Sequence, residues 1–303
     1  MSAPVSAEQN TERVATRPLV GMAALMESHD AFIVDQWGVL HDGLTPYAGA
    51  IDCLRRIRAA GKAVTILSNS GKRGEDNARL IVQMGFSRDL FDAVICAGDD
   101  ARDAILHDPD PFYRTLGPRC LPMARLEDWR LADGLNRQLV TDVEQADFLF
   151  VLSMDAPHQS VALWEPVLVR AAARQLPMVC GNPDLARVTP SGTLLEAPGL
   201  LARRYAELGG AVRTHGKPYP RIYETCLRAL PFARERITAI GDSLLHDVLG
   251  AAGVGVSSVF IASGVHREEL HIAFGQMPDP ARCEHLYDQT GARPDYVVPA
   301  FRW

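Results

Sequence analysis

Asp35 stands directly after the apolar run Phe32-Ile-Val34 and three residues before Gly38. That position puts a carboxylate at the carboxyl end of a buried strand, where it can act as a covalent nucleophile on phosphorus. An acyl-phosphate formed there divides phosphoryl transfer into two easier steps. An Asp at a strand end also serves as an ordinary turn or capping residue, so its meaning depends on what the chain places beside it.

A second acidic pair bears on that choice. Asp242, in Gly241-Asp-Ser243, closes the run Ile237-Thr-Ala-Ile240, and Asp247 follows five residues later, early in the next helix. Two carboxylates at one strand end can contribute to a hard-cation site, because Mg²⁺ takes oxygen ligands and keeps waters and substrate phosphate among them. The alternative is a capping pair, with Asp242 or Ser243 capping the helix and Asp247 favouring its dipole. Ser68-Asn69-Ser70-Gly71 follows another apolar run, Ala63-Val-Thr-Ile-Leu67. It offers a hydroxyl, an amide and backbone N–H groups to phosphate oxygens, or it is a capped polar turn. Lys217, in Thr214-His-Gly-Lys-Pro218, either stabilises charge that develops in a transition state or is a solvated surface lysine. Lys72 and Arg73 open a helix beside the phosphate turn, suited to steering an anion or to a solvated helix end.

Positioning these groups requires a sheet whose strand ends share one edge. Short apolar runs alternate with amphipathic stretches: strands at Ala31–Val34, Ala63–Leu67, Ile237–Ile240, Val259–Ala262 and Tyr296–Val298, and helices over 50–60, 74–84 and about 247–252. Continuous apolar strands between helices imply a parallel sheet covered on both faces, an α/β doubly wound, Rossmann-like core. Right-handed crossovers then bring every strand-to-helix turn to one edge, where ligands bind in such folds. Residues 99–145 differ, being rich in Asp, Pro and Arg, with Pro109, Pro111, Pro118 and Pro122 breaking any long element. Two further strands, 148–152 and 178–180, flank a helix through 164–174. The chain therefore divides into core residues 1–88, an inserted domain at 89–190 and core residues 191–303.

Bulk properties exclude several classes. The 303 residues carry 31 basic and 37 acidic side chains, a net charge of −6, which argues against nucleic acid or an anionic membrane as partner. No apolar run reaches the roughly 20 residues that span a bilayer. The polar stretch Met1 to Thr16 has Glu8 and Glu12 where a signal peptide needs apolar residues. The six cysteines include no CxxC pair and read as reduced, buried thiols. A cytoplasmic protein is expected. Gly210 to Lys217 is one residue too long for a P-loop and has Pro218 in place of the Ser/Thr, and no G-x-G-x-x-G follows the first strand.

Taken in order, these strings resemble the four motifs of the haloacid dehalogenase superfamily: Asp35 the first, Ser68 the second, Lys217 the third, and Asp242 with Asp247 the GDxxxxD fourth. The insertion resembles that superfamily's class II cap. Asn182-Pro-Asp184, Gly216-Lys-Pro218 and Ser263-Gly-Val265 resemble strings of its NagD-like, class IIA subgroup. The resemblance runs from about Asp30 to the end of the chain. It implies an α/β core with an inserted α/β class II cap and a Mg²⁺-dependent phosphatase of a small phosphorylated metabolite, working through an aspartyl-phosphate. Asp35 and Lys217 would be catalytic. Mg²⁺ would be held by Asp35, the main-chain carbonyl of Trp37, Asp242 and Asp247. Ser68 and Asn69, with Asn182 and Asp184 from the cap, would meet phosphate and substrate, alongside Arg125 and Arg137 as further wall candidates. A homodimer through the cap is a further expectation.

One departure stands out. Phosphatases of this superfamily usually carry Asp-x-Asp at the first motif, and this chain has Asp35-Gln-Trp37. The second Asp normally protonates the leaving oxygen and then activates water, a contribution of about 10²–10⁴-fold. An indole N–H does neither. Three readings stay open. The leaving group needs little protonation, or another group such as His41 or Asp42 supplies the proton, or the protein binds a phosphorylated ligand with little or no turnover. Trp37 also reads as a packing residue at the cap interface.

Overall fold

The computed structural model describes residues 15–154, 156, 158–189 and 193–303. The reading of the polar stretch Met1 to Thr16 rests on residues 1–14, which lie outside the described residues. In chain order the strands are β1 (Arg17–Pro18), β2 (Ala31–Asp35), β3 (Ala63–Ser68), β4 (Ala93–Cys96), β5 (Arg119–Met123), β6 (Gln138–Leu139), β7 (Phe148–Val151), β8 (Met178–Cys180), β9 (Ala186–Val188), β10 (Leu194–Glu196), β11 (Val212–Thr214), β12 (Ile237–Gly241), β13 (Ser257–Ile261) and β14 (Tyr296–Val298).

Seven of them form one parallel sheet in the order β1-β14-β13-β12-β2-β3-β4. Its inner strands β2, β3, β12 and β13 are buried on both faces, as the unbroken apolar runs require. Phe32 and Val34 of β2 pack with helices Ala50–Ala59 and Gly74–Gln83 on one side. Ala31 and Ile33 pack on the other against helix Pro220–Ala229 and Ala251. From β2 the chain winds outward through β3 and β4, and later returns to β12 on the opposite flank. The two windings diverge between β2 and β12, and the crevice at the carboxyl ends of those strands is where doubly wound folds place ligands.

A second parallel sheet has the order β11-β8-β7-β5-β6, and β9 and β10 form a separate antiparallel hairpin. Helices Val161–Ala173 and Gly199–Glu207 cover one face through Leu168, Leu201 and Tyr205. Helix Ala97–His107 covers the other through Ala101, Ala104 and Ile105.

The second unit is displaced from the range expected for it. β4 at 93–96 belongs to the first sheet, and helix 199–207 and β11 belong to the second, so the boundaries expected at 88/89 and 190/191 both fall too early. β4 has only four residues, Ala93-Val-Ile-Cys96, an apolar run too short to show by pattern alone which sheet it joins. The helix 199–207 has the periodicity of any amphipathic helix, and periodicity does not say which sheet it covers. The prolines also broke less than expected. Helix 97–107 completes eleven residues before Pro109, and Pro122 lies inside β5. Its missing N–H costs little there, because it faces the β6 side beyond the end of that strand: β6 pairs only with Arg119 and Cys120.

Candidate active site

The register places the acidic residues side by side. Ile240 of β12 pairs with Val34, and Asp35 pairs with Leu67 of β3, so Asp35, Ser68 and Asp242 emerge at one edge from three adjacent strands. After Ser243 the chain makes a wide π-type turn over Leu244–Val248 before helix Leu249–Gly253. That turn swings Asp247 back over the end of β12, where its Oδ2 accepts the Ser243 N–H at 3.0 Å. Two glycines make the approach possible. A Cβ at Gly241 would lie 1.9 Å from Asp247 Cγ, and one at Gly38, whose φ is +89°, would lie 2.0 Å from Asp242 Oδ2.

Among the described residues, Asp35, Asp242 and Asp247 form a buried group with carboxylate oxygens within 4.8 Å of one another. Lys217 reaches them from the turn after β11. Its Nζ donates to Asp35 Oδ1 and, at 2.8 Å, to Asp247 Oδ1. Asp242 Oδ2 accepts the Val265 N–H at 2.7 Å. Burial works against the Lys217 ammonium, but Asp247 and Asp35 hold its pKa well above the ordinary lysine value. Burial pushes the Asp35 carboxyl up to about 7, against the pull of Lys217 and helped by Asp247. Burial, then Asp35 and Asp247, push Asp242 well above the usual carboxylate range. One ammonium is thus too little charge to bring Asp35 and Asp242 back to the ordinary carboxylate range. A divalent cation with hard oxygen ligands fits this donor set.

The capping alternative is realised alongside. Ser243 Oγ accepts the His246 N–H at 3.2 Å, so Ser243 caps the turn while the carboxylates stay turned inward. Asn69 is fully engaged within the protein. Its Oδ1 accepts the Lys217 N–H at 2.7 Å, and its Nδ2 donates to Asp184 Oδ1 at 2.8 Å. It therefore ties the phosphate turn to the lysine turn and to the loop after β8. Asn182 accepts the Asp184 N–H at 3.1 Å, and His246 has its Nδ1 3.4 Å from Asp184 Oδ1.

All nine residues singled out for the site line one cavity of about 490 Å³ between the two sheets. Arg125 and Lys72 line it too, each paired with the buried Asp128. Arg137 is not among its lining residues, and Arg73 turns to Asp99 at 3.4 Å. Trp37 is held by its surroundings: its ring meets His41 edge-on at 5.6 Å, and a Cβ at Gly43 would strike it at 2.2 Å.

Neither neighbour of Trp37 in sequence is placed to supply its proton. His41 is 1% exposed and outside the cavity lining, with Nδ1 accepting the Gly43 N–H and Nε2 against the Gln36 amide. Burial lowers its pKa to about 4. Asp42 does reach the cavity. Burial alone would raise its pKa, but the N–H groups of Thr45 and Leu44 outweigh that and hold it below the ordinary value, ionised and without a proton to give.

Comparison with known proteins shows the family and the fold. A family model described as haloacid dehalogenase-like hydrolase matches residues 32–119, and a second, HAD-hydrolase-like, matches residues 214–302. A haloacid dehalogenase-like hydrolase from Brucella suis 1330 superposes with a TM-score of 0.78 at 30% identity, covering 93% of this chain and 99% of that one. Chronophin from Bos taurus is 27% identical over 286 residues, 86% of this chain and 90% of its own. Glycerol-3-phosphate phosphatase from Homo sapiens is 26% identical over 268 residues, 80% and 81% of the two chains. The fold is shared by a glycerol phosphate phosphatase from Mycobacterium tuberculosis solved in complex with magnesium, with a TM-score of 0.66 at 19% identity, covering 91% of this chain and 76% of that one. Two family models that between them match over half the chain, and a solved relative of almost equal extent, give the same answer: this protein belongs to the haloacid dehalogenase-like hydrolase family.

Proposed function

We propose that the chain is a Mg²⁺-dependent phosphatase of a small phosphorylated metabolite, with Asp35 as the nucleophile. The observation that carries this is the buried group Asp35, Asp242 and Asp247, joined by Lys217 and opening on a single cavity. Phosphatases among the relatives at similar overall length support the reaction class. Asp35, Asp242 and Asp247, with the main-chain carbonyl of Trp37, would hold the ion, which when bound supplies positive charge to phosphate oxygens.

The chain's own residues do the rest. An oxygen of Asp35 attacks phosphorus, and the bond to the leaving oxygen breaks with its electron pair on that oxygen. Lys217 pulls against the burial that raises the Asp35 pKa and meets charge gathering on the phosphoryl oxygens. Ser68 presents a hydroxyl to the same group, and Asn69 holds the Lys217 backbone in place. A water then attacks the phosphorus of the acyl-phosphate, which releases phosphate and restores the carboxylate. The second sheet and its hairpin form the cap, covering the cavity and excluding bulk water.

Hydrolysis of a panel of phosphate monoesters tests this. Activity should require Mg²⁺, vanish on chelation and return on adding the ion back, and Asp35→Asn should lower kcat by about 10⁴-fold or more. Undiminished activity in the Asn variant would reject Asp35 as nucleophile. A second reading, a phospho-ligand-binding protein with little or no turnover, is favoured by one observation, the indole in place of the usual acid at Trp37. Ligand binding without hydrolysis across the whole panel would establish it instead.

A further inference from the structure

The chain crosses between its two sheets twice. It leaves the first sheet at Cys96 for helix Ala97–His107, which covers the second. It returns from β11 through residues 214–219 to helix Pro220–Ala229, which covers the first. Lys217 sits in that second crossing, so its place depends on how the two crossings are held together. They touch at Gly216, whose φ is +101°. A Cβ there would lie 2.6 Å from Asn69 Oδ1 and 2.8 Å from the Cβ of Ala97, the first residue of helix 97–107.

A buried chain of polar groups joins the same two crossings. His215, two residues before Lys217, has Nδ1 2.7 Å from Asp100 Oδ2 and Nε2 2.8 Å from the Tyr113 hydroxyl. Asp100 stands in the first turn of helix 97–107, and its side chain and that of His215 are each 4% exposed. A carboxylate only accepts, so Nδ1 carries a hydrogen toward Asp100, which in the neutral ring leaves Nε2 to accept from Tyr113. Arg221, in the first turn of the returning helix, donates through Nε to the other oxygen of Asp100 at 3.0 Å. Its terminal nitrogens donate to Asp108 at 2.5 Å and Asp103 at 2.6 Å. None of these residues lines the cavity, so none is placed to touch a substrate.

Burying an imidazole and a carboxylate is costly unless each is paired. What the pairing supplies here is direction, because both ring nitrogens are committed and the ring is held at each end. The backbone on either side is held as well. The His215 N–H donates to the Cys180 carbonyl at 2.9 Å, and the Lys217 N–H donates to Asn69. From that turn the Lys217 ammonium must reach both Asp35 and Asp247, and a displacement of about 1 Å in such a group can cost about 10²-fold in rate. Resting on the phosphatase reading above, we infer that His215, gripped by Asp100 and Tyr113, is a positioning residue that sets the reach of Lys217, with Arg221 fixing Asp100 in turn.

The test uses the full chain with Mg²⁺ and two probes, hydrolysis of phenyl phosphate and calorimetric binding of beryllofluoride, a phosphoryl mimic that reads the site without turnover. His215→Ala should lower kcat by about 10–10²-fold, leave KM within about two-fold and weaken beryllofluoride binding about ten-fold. Asparagine keeps an N–H near the place of Nδ1, so His215→Asn should recover most of both losses. In a Lys217→Ala background the same His215→Ala change should cost almost nothing more, because the group it positions is gone. A histidine that only supports the fold would lower Tm and leave kcat and binding unchanged well below that temperature, or would reduce them equally with and without Lys217. Either result would overturn the inference, and hydrolysis abolished by Asp35→Asn would leave the phosphatase reading standing beside it. If His215→Ala does not fold, Tyr113→Phe removes a single hydroxyl instead. It should lower kcat about three-fold, and only where Lys217 is present; no fall would overturn the inference equally. No hydrolysis and no beryllofluoride binding by the unaltered chain, or hydrolysis insensitive to Asp35→Asn, would remove the phosphatase reading itself and this inference with it.

Discussion

The two sides of the cavity are built in opposite ways. On the inner side, Asp35, Asp242 and Asp247 at the first sheet's edge and Lys217 from the turn after β11 are buried and tied by hydrogen bonds to one another or to backbone N–H groups. Across from them, Leu185 and Leu194 stand exposed on a loop and on a two-stranded hairpin outside the second sheet. The first side fixes charge in advance, which is what phosphoryl transfer demands of a protein. The second offers area without committed polar contacts, which sets which molecule enters and how strongly. The division predicts that changes on the inner side act on kcat and changes on the outer side act on KM.

The largest break should come from Lys217→Ala. It removes the one cation between two buried carboxylates, and kcat should fall by about 10²–10³-fold. A fall seen only in KM would mean that Lys217 belongs functionally with the outer wall.

Gly241→Ala probes the same side without touching a charged group. The new Cβ would sit 1.9 Å from Asp247 Cγ, so Asp247 must move, and a displacement of about 1 Å at such a site can cost up to about 10²-fold in rate. Metal affinity should weaken in parallel, measured as the Mg²⁺ concentration giving half-maximal rate. An unchanged Mg²⁺ dependence in a folded variant would separate Asp247 from the cation site.

How legible these sides were in the sequence follows from the same contrast. Asp35, Ser68 and Asp242 each end a continuous apolar run, and a parallel sheet brings such ends to one edge without further information. Asp247 was legible as a carboxylate near Asp242, but the wide turn at 244–248 that points it inward was not. Asn69 had a hydroxyl-rich turn around it and read as a phosphate donor. Only the fold shows its amide spanning from Lys217 to Asp184, residues 148 and 115 positions away. The outer wall had no local signature. Leu185 and Leu194 are single leucines in short segments, and their meaning comes from what the hairpin faces. The helix at 97–107 was obscured by the prolines that follow it, and β5 by Pro122, whose tolerance depends on where a neighbouring strand stops.

The smallest effect on activity should come from His41, behind Trp37. Burial holds its pKa at about 4, below its ordinary 6.5. The unfolded chain therefore binds the proton more readily, and stability is lost as pH falls through that interval. The loss from this group should reach on the order of 3 kcal/mol by pH 4. Denaturant melts between pH 7 and pH 4 measure it, and His41→Gln should flatten the dependence in that window. An equally steep dependence in the variant would assign the acid sensitivity elsewhere.

The central claim is that Asp35 becomes phosphorylated. Acid quenching of the protein within the first turnover of phenyl phosphate in Mg²⁺, followed by peptide mass analysis, reads this directly. The account predicts a phosphoryl group on Asp35 that disappears on longer incubation and never forms in Asp35→Asn. A phosphoryl group on another residue, or rapid turnover with Asp35 unmodified throughout, would contradict it.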